Sequence, residues 1–221
     1  MIARFDRSLL PAAPDLMHEE ALWRQGVHWV CGIDEAGRGA WAGPVAAGAV
    51  ILPQEGKPGS SLVNRLSGVR DSKQMTPVQR EKWAAVIRSE ASAWGVGLAS
   101  HEEIDRLGIV PATRLAVRRA LDALRLAPEY LLVDYLELPE ILLPQAALVK
   151  GDARSLSIAS ASILAKTARD ALMQELEDRY PGYGFARHKG YGTSVHQAAL
   201  KRLGPCPIHR LSFAPLRELS T

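Results

Sequence analysis

Five short apolar segments, with long amphipathic stretches between and after them, predict an α/β protein built on a mixed sheet flanked by helices. Two observations set that class. The first two strand-like segments follow each other with no helix between, whereas the later ones alternate with helical patterns. The apolar runs are also too short to be helices and too apolar to lie on a solvated face, so they read as buried strands.

Residues 1–27 read as a flexible extension holding a short helix within "DLMHEEALWRQ". The first strand spans Trp29 to Asp34, and "PVAAGAVIL", Pro44 to Leu52, is the second. Residues 53–64, "PQEGKPGSSLVN", carry the Pro/Gly/Ser signature of a surface loop. "TPVQREKWAAVIRSEA" is a helix with Thr76 as N-cap and Pro77 at its first position. "AWGVGLAS" is a strand, "IVPATRLAVRRALDAL" a second amphipathic helix, and "EYLLVDYLEL" a strand with Asp134 near its end. "AALVKGDARS" gives a last short strand followed by Asp152. The longest helical candidate follows, "SLSIASASILAKTARDALMQELEDRY", whose run of Ala159, Ser160, Ala161, Ser162 and Ala165 predicts very close packing. A Gly/Tyr loop then leads to a helix capped by Ser194 and stopped by Gly204. This divides the chain into an extension (1–27), a catalytic domain (28–180) and a basic, helical C-terminal appendage (181–221).

Nothing in the 221 residues is an apolar run of the roughly 20 residues that a membrane span requires. The N-terminus lacks the pattern of a signal peptide. Cys31 and Cys206 are far apart and without metal-site spacing, which fits plain thiols in a cytoplasmic protein. The formal net charge of +3 is unevenly spread: from Arg179 onward there are seven Lys/Arg against the single acid Glu218. A basic tail beside an acidic body suits a polyanionic partner, although charge alone fits a solvated surface as well.

The stretch "GIDEAGRGAWAGPV", Gly32 to Val45, places Asp34 and Glu35 directly before a glycine-rich run. Asp134 and Asp152 likewise follow apolar strands. In open α/β sheets sites form beyond strand ends, so these four acids can converge. Converging carboxylates repel unless cations lie among them, and oxygen donors without His or Cys suit Mg²⁺ or Mn²⁺. A pair of such ions is the recurring device for phosphodiester hydrolysis. An Asp after a strand, as Asp134 and Asp152 are, more often forms a turn or caps a helix, whereas the Asp34–Glu35 pair set among glycines fits either role. Gly37-Arg38-Gly39 lets backbone amides and a guanidinium approach an anionic or ribose-bearing ligand closely. It is neither a Walker loop nor a dinucleotide fingerprint.

Taken in order, "GIDEAGRG-x-x-AGPV", "DSK", "LLVD", "KGD-x-x-x-x-x-IA-x-ASI-x-AK-x-x-RD" and "HKGYGT" resemble the bacterial type 2 ribonucleases H, the ribonuclease HII family, from about Trp29 to His196. The resemblance implies a ribonuclease H-like five-stranded sheet, with Asp34, Glu35, Asp134 and Asp152 as catalytic, metal-binding carboxylates and Asp170 as a further acid near two divalent ions. It implies that Gly37, Arg38 and Gly39 contact the ribonucleotide 2′-OH and that Tyr191 stacks on the sugar after the scissile phosphate. Arg187, His188, Lys189 and Lys201 are then expected to hold duplex phosphates, and Lys73 to reach a phosphate or pair with Asp71. The implied activity is endonucleolytic cleavage of RNA in RNA–DNA hybrids and 5′ of single ribonucleotides in duplex DNA, leaving 3′-hydroxyl and 5′-phosphate ends, by a monomer without membrane partners. Ala40 and Trp41 stand where Pro and Leu are common, and Tyr135 where Gly is usual, so substrate preference is the property these departures touch. Ribonuclease HIII, a junction resolvase and a non-catalytic hybrid-binding module are the alternatives. They are disfavoured respectively by the short N-terminus, by "HKGYGT", and by the complete set of four acids.

Overall fold

The structure, a computed structural model, describes residues 10–54 and 61–217. Its five strands are β1 (Val30–Ala36), β2 (Val45–Ile51), β3 (Ala93–Ala99), β4 (Tyr130–Asp134) and β5 (Gln145–Leu148), joined in the order β3-β2-β1-β4-β5. The β1–β2 and β2–β3 pairs are antiparallel, whereas β1–β4 and β4–β5 are parallel. The chain thus builds outward from β1 on one side and returns to the other, which opens a crevice beyond the ends of β1 and β4.

The helices are α1 (Met17–Trp23), α2 (Leu62–Arg65), α3 (Pro77–Glu90), α4 (His101–Leu107), α5 (Ile109–Asp122), α6 (Leu156–Arg179), α7 (Phe185–His188), α8 (Ser194–Leu203) and α9 (Ala214–Arg217). The sheet is covered on both faces. Val30, Val50 and Leu132 pack with Ile158, Ala161 and Leu164 of α6 and with Ala84 and Ile87 of α3. Residues one step along the strands, Cys31, Ile33 and Leu131, point the other way and meet Ala112, Ala116 and Ala120 of α5. Removing apolar area from water at about 25 cal/mol per Å² makes these two layers the main source of stability.

The small residues of α6 do what their pattern predicts. A Cβ on Gly32 of β1 would lie 2.2 Å from the Ser157 carbonyl carbon, and one on Gly48 of β2 would lie 2.2 Å from the Ala161 oxygen. Only glycine on the strands lets the α6 backbone come this near, and the sheet's acids are thereby brought up against the helix.

Local chemistry explains most boundaries. Thr76 caps α3 in a reciprocal capping box with Gln79, with Pro77 in the first turn. Helix α4 was not expected from the sequence, yet Ser100 and Glu103 form the same box. The cap of α8 is Thr193, whose side chain accepts from the His196 amide, and not Ser194, which is the first helical residue. Of the loop expected at 53–64, residues 55–60 lie outside the described residues, and Leu62 already begins α2.

The N-terminal segment departs from expectation. Residues 1–9 lie outside the described residues, but 10–27 are not a loose extension. Leu16 and Trp23 join the core, and Glu19 is fully buried at the start of α6. One Glu19 oxygen accepts from the Ser155 hydroxyl (2.6 Å), the Ser157 amide (3.0 Å) and the Ser157 hydroxyl (2.5 Å). A carboxylate against the first amides of a 24-residue helix also complements its dipole. At the other end of α6, Met173 packs with Tyr183, Phe185, Leu200 and Ile208 in a small separate cluster that also covers Ala42. Among the described residues no helix is long and apolar enough to cross a membrane.

Candidate active site

Three acids meet at the ends of the two central strands. Asp34 ends the buried run of β1, Asp134 ends β4, and Asp152 sits in the 3-10 turn Gly151–Ala153 that precedes α6. One carboxylate oxygen from each lies within 4.8 Å of the others. Asp34 accepts from the Glu35 amide at 2.7 Å, and the Ser162 hydroxyl of α6, which bonds the Ser72 hydroxyl at 2.9 Å, lies near enough to offset part of its upward shift. Asp134 accepts from the Gly151 amide at 2.7 Å, which ties β4 to the turn carrying Asp152.

Two non-glycine residues in left-handed conformation shape this corner: Tyr135 (φ 57°), directly after Asp134, and Lys150 (φ 54°), two residues before Asp152. Each costs on the order of 1 kcal/mol, strain that is commonly stored at functional sites. The Tyr135 conformation explains why glycine suits this position, and its side chain is exposed. Trp41, the other departure, packs its indole against Gly192 and near His196, under the Tyr191 loop.

The carboxylates are mutually strained. Burial, then Glu35 and Asp134, push the Asp34 carboxyl well above its ordinary range. Burial and the neighbouring Asp152 raise Asp134 to about 6. Asp152 is raised by burial and by Asp71. Burial pulls the Lys73 ammonium down, but Asp152 and Asp34 outweigh it and its net shift is upward. Its Nζ lies 3.7 Å from Asp152, so its charged partner is Asp152, while Asp71 accepts from the Lys73 backbone amide.

Glu35 is close enough to raise both Asp34 and Asp134, and its Oε1 accepts from Arg38 Nη1 at 3.1 Å. Gly37 has φ +91°, and Gly39 is exposed with nothing within 4 Å of a Cβ placed on it. Beneath the turn lie two buried arginines, Arg169 and Arg210, which sequence reasoning missed because their partners are distant in the chain.

Asp170 does not join the acids. It holds Arg80 Nη2 at 2.9 Å and Lys166 Nζ at 2.7 Å, which is the ion-pair role of a helix residue and not that of a metal ligand. It lines a cleft of about 470 Å³ together with Arg80, Lys166, Arg187, Lys189 and Tyr191. The Tyr191 ring stands 5.6 Å from Lys166 Nζ and 5.5 Å from the Arg169 guanidinium carbon. Arg187 is exposed at this cleft, whereas Lys201 is exposed on α8 and is not part of its lining.

His188 also departs from the expected phosphate-holding role. It is buried, donates from Nε2 to the Tyr183 carbonyl (2.7 Å) and accepts at Nδ1 from the Gly190 amide (3.2 Å). With both nitrogens engaged it cannot hold a phosphate. It stacks on His196, with centroids 4.5 Å apart, and His196 meets His209 through their Nε2 atoms at 3.0 Å.

Three oxygen donors crowded together, each with its carboxyl pushed up, fit a hard divalent cation, and the absence of His and Cys from the trio fits Mg²⁺ or Mn²⁺ better than zinc.

The family model of ribonuclease HII matches residues 31–216. A ribonuclease HII from Dehalococcoides mccartyi is 51% identical over 217 residues, covering 95% of this chain and 98% of that one. Another from Anaeromyxobacter sp. is 53% identical over 92% of this chain, which spans 62% of that protein's length. Among solved structures, ribonuclease H2 from Pyrococcus horikoshii superposes with a TM-score of 0.69 at 28% identity, covering 86% of this chain and 96% of that one. With strand order, acidic trio and sequence in agreement over most of its length, the chain belongs to the ribonuclease HII family, hydrolases of the ribonuclease H class.

Proposed function

We propose that the protein cuts the RNA strand of RNA–DNA hybrids, and cuts duplex DNA 5′ of single embedded ribonucleotides, with two Mg²⁺ or Mn²⁺ ions as cofactors. The observation that carries this reading is the acidic trio lying beside a glycine turn with open space at Gly39. The 2′-OH is what tells RNA from DNA at a single position, and a turn without side-chain bulk brings backbone groups within reach of it.

Asp34, Asp134 and Asp152, with Glu35 at their side, would hold the ions, which supply positive charge against the reacting phosphate and lower the pKa of water. The chain's own groups do the rest. The Glu35 amide fixes Asp34 and the Gly151 amide fixes Asp134, so these donors are set before substrate arrives. Lys73 places a cation beside Asp152, positioned for a phosphate oxygen. Lys166, Arg187 and Lys189 line a cleft whose charge suits duplex phosphates, holding them without reading sequence. Tyr191, with its ring at the edge of that cleft, offers a stacking face to the sugar.

Asp34→Asn is expected to abolish cutting of a duplex carrying one ribonucleotide while hybrid binding, followed by gel shift with EDTA present, persists. A variant that still cuts at the ribonucleotide would refute the assignment of Asp34.

A further inference from the structure

We propose that Arg169 and Arg210 are positioning residues that lock the Arg38–Pro44 loop and the Lys189–Tyr191 loop into one rigid surface, fixing the spacing between the glycine turn and the Tyr191 ring. The inference rests on the reading of those two elements as substrate contacts.

Both guanidinium groups are fully buried, and among the described residues neither forms an ion pair. A buried cation without a carboxylate is costly unless its N–H groups are satisfied. Here backbone carbonyls do so. Arg169, on α6, donates from Nε to Pro44 (2.8 Å), from Nη2 to Ala42 (3.0 Å) and from Nη1 to Lys189 (2.8 Å). Arg210 donates from Nε to Gly43 (2.9 Å), from Nη2 to Pro44 (2.9 Å) and from Nη1 to Arg38 (2.9 Å). Every one of these carbonyls belongs to one of the two loops that face the substrate in the proposed function.

The division of labour is specific. Arg210 gathers only the first loop, whereas Arg169 joins the first loop to the second. Gly37 rests on Arg169, since a Cβ there would lie 2.0 Å from its Nε, and the Tyr191 ring stands 5.5 Å from its guanidinium carbon. The loops also touch directly: Trp41 donates to the Gly190 carbonyl at 2.8 Å, and a Cβ on Gly190 would lie 2.5 Å from the Ala42 oxygen. A planar fork of fixed donors can hold diverging carbonyls in one geometry, which the point charge of a lysine cannot.

Amide hydrogen exchange on R169K and R210K tests this without reference to activity. R169K should speed exchange at both Trp41 and Tyr191 by about tenfold or more, the scale of one lost charge-assisted bond, with β2 and α3 unchanged. R210K should loosen Gly43 and leave Tyr191 protected. Exchange that rises across the whole sheet in R169K, or a Tyr191 amide equally loosened by both changes, would overturn the proposal. The second arm measures cutting of a single-ribonucleotide duplex. R169K should lower kcat/KM by about 100-fold, as expected for a displacement on the order of 1 Å, with the larger part in KM. G190A, which wedges the loops apart without altering either arginine, should do the same even if R169K fails to fold. Wild-type efficiency in G190A would overturn the positioning role. A wild-type protein that cuts nothing would refute the proposed function, and the exchange result would still decide whether the arginines couple the loops.

Discussion

His196 makes a sharp prediction about pH. The Tyr191 carbonyl, 3.0 Å from His196 Nδ1, can only accept, so Nδ1 carries the hydrogen. Neutral His196 then offers a lone pair at Nε2, which must receive the hydrogen of His209 Nε2. His209 Nδ1 is left free to accept from the Cys206 amide at 2.9 Å. His209 Nδ1 also lies 3.0 Å from the Cys206 carbonyl, so His209 can switch tautomer to meet a protonated His196, and it is burial that chiefly keeps His196 neutral. Burial, with His188 and His209 alongside, accordingly lowers His196 to about 4 from an ordinary 6.5. A histidine whose folded value is depressed contributes its stability above the unfolded value and loses it as pH falls, since the unfolded chain binds the proton first. Working the linkage through between 6.5 and about 4 gives a loss of about 2 kcal/mol by pH 5 and about 3 kcal/mol by pH 4. The acids of the active site act in the opposite direction, because their raised values favour the folded state as pH drops. The raw profile of the wild type is therefore no test. His196→Asn retains a donor for the Tyr191 carbonyl and removes the titrating ring. Urea unfolding of both proteins from pH 7.5 to 4.5 should show the gap between them narrowing by about 2.5 kcal/mol. Parallel curves would refute the buried, neutral state assigned to His196.

Other perturbations follow from named contacts. Glu19→Ala removes a buried carboxylate that accepts three bonds at the head of α6. It should cost about 3 kcal/mol, or roughly 6–12 °C in Tm by scanning calorimetry. Gly32→Ala forces a methyl into the α6 backbone 2.2 Å away, and should cost at least about 3 kcal/mol, seen as a comparable loss of Tm. Gly39→Ala meets no atom within 4 Å and should leave Tm within about 1 °C, yet reduce ribonucleotide cutting by about tenfold or more if substrate approaches this backbone closely. Full activity in Gly39→Ala would argue against that approach.

What was legible in the sequence was local or periodic. The strands announced themselves as apolar runs, and the α3 boundary was written in Thr76 and Pro77, neighbours in the chain. Asp34, Asp134 and Asp152 could be picked out because each follows an apolar run, and the fold needs only its strand order to gather them. Helix α4 was missed although Ser100 and Glu103 carry the capping signature, because the apolar content of "HEEIDRL" is too low for a periodic signal. Thr193 and Ser194 are equivalent cap candidates by type, and only the observed bond to His196 separates them. Asp170 looked like a site residue because its neighbours in sequence fit the family pattern, but Arg80, 90 positions away, had claimed it. His188, Arg169 and Arg210 belong to the same class: nothing near them in the chain shows that they are buried or what they bond.

The bond from Arg210 to the Arg38 carbonyl spans 172 positions, and that sets an order of events during translation. A ribosome adding about 5–20 residues per second needs roughly 10–35 s to pass from one partner to the other. Before that interval ends, Asp34, Glu35, Asp134 and Asp152 have all been made. A nascent chain halted just after Arg179 would carry every one of these acids together with an unclamped turn and no Tyr191. The clamp on the glycine turn is therefore completed only after every acid of the site has been synthesised.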